Sequence, residues 1–230
     1  MIEIKSVSDL TRVFDHTLLK PETTRERFAA YVKEGIELGC GMLAINSLWV
    51  SEAKRLRQDS LIHIGAAIGF PLGQTTIAVK AYETERAIAE GADEIDYVIH
   101  IGALKDKDYD YLHTEMRTIV DICKKQGVIC KVIFENCLLT DEEKIAMCQI
   151  AREVRPDFIK TSTGFSSGGA TFADVALMVK EARGLVQVKA AGGIRDWPTC
   201  KKMLELGATR IGTSSSKAIM EGYLQETLTK

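Results

Sequence analysis

The sequence has no apolar run as long as a membrane-spanning helix, which needs about 20 consecutive apolar residues. Charged residues interrupt the hydrophobic stretches of the 230-residue chain before that length is reached. The opening residues 1–5, MIEIK, mix charge with apolar side chains and lack the hydrophobic segment of a secretory signal peptide. These absences predict a cytoplasmic protein that does not enter a membrane.

The sequence also lacks a surplus of charge of either sign. It has 30 lysines and arginines against 32 aspartates and glutamates, for a net charge of -2. Such a balance gives no general attraction to nucleic acid or anionic lipid, so any bound anion must be held by a local site. The six cysteines are scattered without a C-x-x-C pair, which predicts neither a disulfide framework nor a zinc site.

What is present is a regular alternation of strand-like and helix-like segments. Eight short apolar, β-branched runs recur along the chain, and amphipathic segments such as residues 25–38, 75–90 and 171–183 separate them. Eight βα units in this length predict an α/β fold, a single (β/α)8 TIM barrel that forms one domain over residues 1–230. A doubly wound sheet is the alternative, although no G-x-G-x-x-G follows an early strand. The eight runs are residues 13–19, 42–46, 63–70, 94–99, 128–135, 158–163, 186–191 and 210–213.

Single charged residues interrupt five of these apolar runs. In this fold the chemistry is built at the C-terminal ends of several strands. Buried carboxylates and ammonium groups offset each other's charge only when they are grouped. We therefore expect the five side chains to converge inside the barrel, although a lone strand lysine more often extends to solvent. They are Asp15, Asp96, Lys131, Lys160 and Lys189.

Lys160 precedes a glycine-rich turn at residues 164–169, which predicts that it lies near the C-terminal end of its strand. A lysine is a poor nucleophile at neutral pH unless burial or a neighbouring cation lowers its pKa. Lys189, on the next run, is placed to be that cation. One lysine could then form a Schiff base with a carbonyl substrate, with Asp96 as general acid or base. This chemistry needs neither a metal nor an organic cofactor.

Two loops rich in glycine and serine follow the seventh and eighth runs, at residues 191–195 (AGGIR) and 211–217 (IGTSSSK). Glycines let backbone N–H groups approach an anion, and the amides at a helix N-terminus carry partial positive charge. Either loop alone could be an ordinary turn with a serine N-cap. Together, at the place where barrels often hold phosphate, they predict a small phosphorylated substrate.

Seven motifs spread along the chain resemble those of deoxyribose-phosphate aldolase. The resemblance runs from about residue 13 to residue 216. The motifs are FDHTLLKP (14–21), GFPLG (69–73), EID (94–96), LLTDEEK (138–144), KTSTGF (160–165), GGAT (168–171) and KAAGGIR (189–195).

The resemblance implies a class I aldolase that reversibly cleaves 2-deoxy-D-ribose 5-phosphate into D-glyceraldehyde 3-phosphate and acetaldehyde. Lys160 would form the Schiff base, and Asp96 and Lys189 would relay protons. Such enzymes commonly self-associate, so a homodimer or larger oligomer is implied. The residues expected to bind the substrate are Asp15, Lys131, Gly164, Gly192, Gly193, Gly212, Ser214 and Ser215.

One departure from the family pattern lies in the second run. Many relatives have a cysteine two residues before the asparagine or tyrosine of that motif, whereas this chain has Ala44 before Asn46. An unsaturated aldehyde product could trap such a thiol, so we expect this chain to tolerate high acetaldehyde better.

Two other functions stay open. The four histidines could indicate a divalent-metal aldolase or isomerase on a phosphate-binding barrel, although no pair has H-x-x-x-H or E-x-x-H spacing. A barrel that binds a sugar phosphate without turnover is the non-enzyme alternative. The lysines in the strand runs disfavour it, because a binding protein has no need of desolvated lysines.

Overall fold

The eight expected strands are present, and they close into a parallel barrel. In the computed structural model, which describes residues 3–228, each strand pairs with the next along the chain and β8 pairs with β1. The TIM-barrel prediction is therefore confirmed, and the doubly wound alternative is wrong. The first two and last two residues of the expected domain, 1–230, lie outside the described range. The strands are β1 (Phe14–Leu18), β2 (Met42–Asn46), β3 (His63–Ile68), β4 (Glu94–Val98), β5 (Ile129–Ile133), β6 (Phe158–Lys160), β7 (Gln187–Ala191) and β8 (Arg210–Thr213).

Successive side chains of each strand lie on opposite sides of the barrel wall, because the side-chain period of a strand is two residues. On β4, Ile95 and Tyr97 pack in the hydrophobic core between the barrel and the helices. Glu94 and Asp96 are also buried, but they contact charged side chains of other strands across the barrel axis. The apolar core therefore lies outside the sheet, and the barrel interior is charged.

Helices cover the outside of the barrel, and their ends follow the sequence signals. The Thr24 and Thr140 side chains accept hydrogen bonds from the amides of the first helical turn, and Gly91 ends α4 in the left-handed conformation. The helices are α1 (Val7–Arg12), α2 (Arg25–Glu37), α3 (Val50–Arg57), α4 (Ile77–Glu90), α5 (Ile101–Lys105), α6 (Tyr109–Gln126), α7 (Asp141–Val154), α8 (Phe172–Ala182), α9 (Trp197–Glu205) and α10 (Ser216–Leu228). Within residues 3–228, no helix combines the length and apolar character needed to cross a bilayer.

The sixth strand is shorter than the apolar run that predicted it. It ends at Lys160, and beyond it side-chain hydroxyl groups bond to neighbouring segments beside the remaining backbone hydrogen bonds, such as that from the Thr161 amide to the carbonyl oxygen of Lys189. Thr161 Oγ1 donates to the carbonyl oxygen of Ala191 at 3.1 Å, and Thr163 Oγ1 donates to the Glu135 carboxylate. Lys160 therefore stands at the strand end, as predicted.

Candidate active site

A cavity of about 300 Å³ opens at the C-terminal end of the barrel. Its walls come mainly from the ends of β1, β6, β7 and β8 and the loops that follow them. Lys160 lines this cavity although the residue as a whole is only 4% exposed. The cavity thus gives a small ligand access to an otherwise buried amine, at the end of the barrel where this fold places its chemistry.

The structure brings Lys160, Asp96 and Lys189 into direct contact. Asp96 Oδ2 accepts a hydrogen bond from Lys160 Nζ at 2.9 Å and another from Lys189 Nζ at 2.6 Å. The two lysines are paired in register on neighbouring strands, and Asp96 reaches them from β4 across the barrel. One carboxylate oxygen therefore joins two ammonium groups that would otherwise repel each other.

Burial is the main cause of the altered acidity of Lys160. Desolvation lowers the pKa of this amine from 10.5 to about 8, the Asp96 carboxylate opposes that change, and the Lys189 ammonium adds to it. The sequence suggested that the second lysine would be the important influence, but its effect is smaller than that of burial. With a pKa of about 8, a useful fraction of Lys160 is the neutral nucleophile near neutral pH.

Asp96 and Lys189 also belong to a closed ring of six charged side chains of alternating sign inside the barrel, here called the charge ring. Each member contacts the next: Asp96 contacts Lys131, Lys131 contacts Glu94, Glu94 contacts Arg210, Arg210 contacts Asp15, Asp15 contacts Lys189, and Lys189 contacts Asp96. The distances include 2.7 Å from Lys131 Nζ to Asp96 Oδ1, 3.1 Å from Arg210 Nη2 to Glu94 Oε1 and 2.7 Å from Arg210 Nε to Asp15 Oδ1.

The charge ring shifts the pKa values of Asp96 and Lys131 in the directions that keep both groups ionised. Burial alone would raise the pKa of Asp96, but the ammonium groups of Lys131, Lys160 and Lys189 hold that pKa well below its usual range. Burial alone would lower the pKa of Lys131, but the carboxylates of Asp96 and Glu94 raise it. Desolvated charges are stable here because each one has an opposite charge on both sides.

Two residues that the sequence assigned to substrate binding lie elsewhere. Asp15 and Lys131 are fully buried members of the charge ring. Like Asp96 and Lys189 they do not line the cavity, but unlike Asp96 they form no hydrogen bond with Lys160. The structure therefore places them behind the reacting groups and not at the cavity wall. Their position follows from their place within the strands, since Asp15 is three residues before the end of β1 and Lys131 is two residues before the end of β5.

Glu94 and Arg210, the other two members of the charge ring, are not among the site residues predicted from the sequence. Both were in view, as the first residue of the EID motif and the first residue of the eighth run. A charged residue at the first position of a run is typical of a strand boundary, but alternation places Glu94 on the same side of β4 as Asp96. A charged residue two positions before an inward-facing Asp96 was the available signal.

The glycine and serine loops meet on the other side of Lys160. Gly164, Gly192, Gly193, Gly212 and Ser214 all line the cavity. Thr213 Oγ1 donates to the carbonyl oxygen of Ile194 at 2.7 Å, which joins the loops after β7 and β8. Ser215 does not line the cavity; its carbonyl accepts the first hydrogen bond of α10, from the Ile219 amide at 3.0 Å.

Glycine is required in this wall for two different reasons. Gly192 and Gly193 have φ angles of 86° and 80°, in the left-handed region that other residues rarely adopt. Gly212 is limited by space, because a Cβ atom there would lie 2.8 Å from the Cβ of Ala191 and 3.2 Å from Cε of Lys189. The glycines thus keep the cavity open and leave backbone exposed at its wall.

Three basic side chains that were not among the predicted site residues also line the cavity. They are Lys20 and Arg27, from the loop after β1 and the start of α2, and Arg195, from the loop after β7. All three residues are exposed. Together with the bare backbone of the glycine loops, these cations make the outer part of the cavity suited to an anion.

Comparison with known proteins identifies the family. The sequence profile of the DeoC/LacD family of aldolases matches residues 10–221. The chain belongs to the DeoC/LacD aldolase family. A protein of Bacteroides thetaiotaomicron named deoxyribose-phosphate aldolase is 50% identical over 218 residues, which cover 95% of this chain and 92% of that one. One from Lysinibacillus sphaericus with the same name is 47% identical and is covered to 97%. A solved structure, described as the unique tetrameric structure of deoxyribose phosphate aldolase from Aeropyrum pernix, superposes with a TM-score of 0.90 at 30% identity, covering 97% of this chain and 94% of that one.

The whole candidate site of this DeoC/LacD-family aldolase lies inside the matched range, from Asp15 to Ser214. Within residues 3–228, no three His, Cys, Asp or Glu side chains are grouped so that they could hold a metal ion. The carboxylates on the barrel axis instead contact lysine and arginine.

Two of the buried lysines of this aldolase, Lys160 and Lys131, predict opposite effects on stability when each is replaced by methionine. The pKa of Lys160 is lower in the folded chain than in the unfolded one, so its positive charge opposes folding below pH 8, and stability rises as the pH goes from about 8 to 10.5. We expect Lys160→Met to raise the free energy of unfolding at pH 7 by about 1–3 kcal/mol.

Lys131→Met is the matched control. The pKa of Lys131 is raised by its carboxylate partners, so its charge favours folding up to alkaline pH. Its loss leaves buried carboxylates short of a cation and should lower the free energy of unfolding by about 3–5 kcal/mol. Urea unfolding of both variants at pH 7 measures the difference. Equal destabilisation by the two substitutions would contradict the inference that the positive charge of Lys160 opposes folding.

Proposed function

We propose that this chain, as one barrel domain over residues 1–230, is a class I deoxyribose-phosphate aldolase that uses Lys160 as its Schiff-base lysine. It reversibly cleaves 2-deoxy-D-ribose 5-phosphate into D-glyceraldehyde 3-phosphate and acetaldehyde. The observation that carries this function is a buried amine with a pKa of about 8, reached from a cavity and hydrogen-bonded to Asp96. The names of the relatives support the choice of substrate.

The reaction begins with attack by the neutral Lys160 amine on the aldehyde carbon of the open-chain sugar. Loss of water from the resulting carbinolamine gives a protonated Schiff base, whose nitrogen accepts the electron pair of the breaking carbon-carbon bond. Removal of the proton from the C3 hydroxyl releases D-glyceraldehyde 3-phosphate and leaves an enamine on Lys160. Protonation of the enamine carbon and hydrolysis then give acetaldehyde and the free lysine.

Asp96 and Lys189 are the proton-transfer groups in this scheme. Asp96 is ionised at neutral pH because three ammonium groups hold its pKa down, and its Oδ2 lies 2.9 Å from the nitrogen of Lys160, so its position suits it to accept the hydroxyl proton. Lys189 Nζ lies 2.6 Å from Asp96 Oδ2 and can donate a proton along that hydrogen bond when the carbinolamine loses water. Both groups are fixed on strands, so little reorganisation is needed during the reaction.

The phosphate group binds at the outer end of the cavity. Gly164, Gly192, Gly193, Gly212 and Ser214 would contact it, whereas Ser215 acts from behind by starting α10. A phosphate at the helix N-terminus is favoured by the partial positive charge of the free amides. Phosphorylated sugars are retained inside cells by their charge, so we place the reaction in the cytoplasm.

Borohydride trapping tests the Schiff base directly. With acetaldehyde and borohydride in the presence of EDTA, we expect an ethyl group on Lys160, found by peptide mass mapping, and none on Lys131 or Lys189. Lys160→Arg is the matched control, because it keeps the positive charge but cannot form an imine, and it should yield no adduct at that position.

Failure to trap Lys160 would rule out this function. If deoxyribose 5-phosphate still binds and added divalent metal then produces cleavage, the chain is a metal-dependent aldolase. If it binds and no condition produces cleavage, the chain is a sugar-phosphate sensor.

Ala44 predicts tolerance of acetaldehyde. It lies on the interior side of β2, is 5% exposed, and pairs in register with Thr17, which lines the cavity. A thiol at this place would react with the unsaturated aldehyde that forms when acetaldehyde condenses with itself. We expect the native chain and the Ala44→Ser control to keep activity in high acetaldehyde longer than Ala44→Cys. Equally rapid inactivation of all three would show that this position is irrelevant.

We also propose that the chain forms a homodimer or a larger homo-oligomer. Four large apolar side chains are exposed near the start of α4: Leu48 (83%), Leu72 (68%), Val79 (51%) and Tyr82 (66%). A hydrogen bond of 2.7 Å from Ser47 Oγ to Glu83 Oε1 ties the turn that bears Leu48 to α4, which carries Val79 and Tyr82. Exposed apolar groups of this kind mark interaction surfaces.

Sedimentation equilibrium tests the assembly. Tyr82→Glu should weaken association, while Leu61→Glu should not, because this exposed apolar residue (93%) precedes β3 at the other end of the barrel. A native chain that sediments as a monomer at micromolar concentration would refute the proposal.

A further inference from the structure

Glu94 and Arg210 close the charge ring at the end of the barrel opposite the cavity. Each is the first residue of its strand, so both lie at the N-terminal face, and neither lines the cavity. Glu94 is fully buried, and the Arg210 side chain is 14% exposed. A residue at this face of a TIM barrel ordinarily serves stability and not chemistry.

The charge ring has three carboxylates and three cations, so its formal charge is zero. Lys160 is attached to it only through Asp96 Oδ2 and is not needed to close it. Among the described residues on the barrel axis, its ammonium is therefore a fourth cation facing three carboxylates. When Lys160 loses its proton, the buried group as a whole becomes neutral.

We propose, on the basis of the aldolase function above, that Glu94 and Arg210 are positioning residues for the reaction, which set the proton affinity of Lys160 by fixing the charge of the ring at zero. They act through Asp15, Lys131 and Asp96 and touch no substrate. Removing Arg210 gives the ring a net negative charge that holds the Lys160 proton, and removing Glu94 gives it a net positive charge that expels it.

Charged and titratable groups surround Glu94, Arg210 and Lys160 both inside and outside the charge ring. Arg210 faces Asp15 and Glu94, with its guanidinium 5.9 Å from the centre of the Phe158 ring. Glu94 faces Lys131 and Arg210 and accepts a hydrogen bond of 2.7 Å from Nδ1 of His63, at the half-exposed start of β3. Near His63, Asp93 is paired with Arg57. Lys160 itself faces Asp96, with Lys189 beside it, and the Asp15 carboxylate also acts on it.

A purely structural role for Glu94 and Arg210 predicts a different result. Loss of either partner would then loosen the barrel, and activity would fall without a change in its pH dependence. An electrostatic role instead predicts pH shifts of opposite sign from two side chains that contact each other. The sign of the shift therefore separates the two roles.

The experiment measures kcat/KM for cleavage of deoxyribose 5-phosphate as a function of pH. For the native chain we expect activity to rise with pH up to about 8, because the neutral form of Lys160 is the nucleophile. Arg210→Met should move this rise to higher pH, and Glu94→Gln to lower pH, each by on the order of one pH unit. The double variant, whose ring is again neutral, should return to the native midpoint.

Charge-preserving and exposed variants complete the design. Arg210→Lys keeps the charge and should leave the midpoint in place even where kcat falls. His63→Lys adds a permanent charge next to Glu94 at a half-exposed position where folding is retained, and it should shift the midpoint to lower pH than His63→Gln does. Circular dichroism at each pH establishes that a variant is folded before its profile is used.

Carbamylation of Lys160 by cyanate, followed by peptide mass mapping, gives a second readout that does not depend on aldolase activity, since cyanate reacts with the neutral amine. If the native chain fails to form the borohydride adduct but cyanate shows the opposite shifts, the proposed function fails and the role of the charge ring stands. If the adduct forms but the variants share one midpoint, or shift in the same direction, the inference is overturned. Equal shifts for Arg210→Lys and Arg210→Met would also overturn it.

Discussion

One oxygen atom, Oδ2 of Asp96, accepts hydrogen bonds from two buried ammonium groups, and the interior of the barrel is arranged around that contact. Lys160 needs a carboxylate to be buried at all, yet a carboxylate used by it alone would hold its proton too firmly for nucleophilic chemistry. Sharing Asp96 with Lys189 and Lys131 divides its negative charge among three cations. Further carboxylates, Asp15 and Glu94, are then required to match those cations, and Arg210 is required to match the carboxylates.

The sequence predicted the barrel because strand-like and helix-like patterns alternate along it. Apolar runs separated by amphipathic segments predicted the number and order of the strands, and the charged residue that interrupts the run 158–163 predicted that Lys160 lies inside the barrel. The height of a residue along the barrel axis was harder to obtain. It depends on strand register, which local patterns do not encode, and so Asp15 and Lys131 were expected at the cavity and lie beneath it.

The candidate site was predictable to the extent that its residues interrupt a pattern. Asp96, Lys160 and Lys189 are charged residues inside apolar runs, and the structure places them in contact. Glu94 and Arg210 stand at the first positions of such runs, where a charged residue is common, so the pattern does not distinguish them. Lys20, Arg27 and Arg195 lie in loops with no periodicity, so only the folded chain shows that they share one cavity.

The cavity joins two kinds of wall, and they differ in how freely they can change over evolutionary time. The reacting end consists of strand residues packed in fixed register, and at Gly212 even a methyl group would collide with Ala191. The outer end carries exposed side chains on loops, such as Arg27 and Arg195, whose replacement disturbs no buried contact. A lineage descended from this barrel could therefore exchange one sugar phosphate for another, or for an uncharged aldehyde, while keeping its bond-breaking chemistry intact.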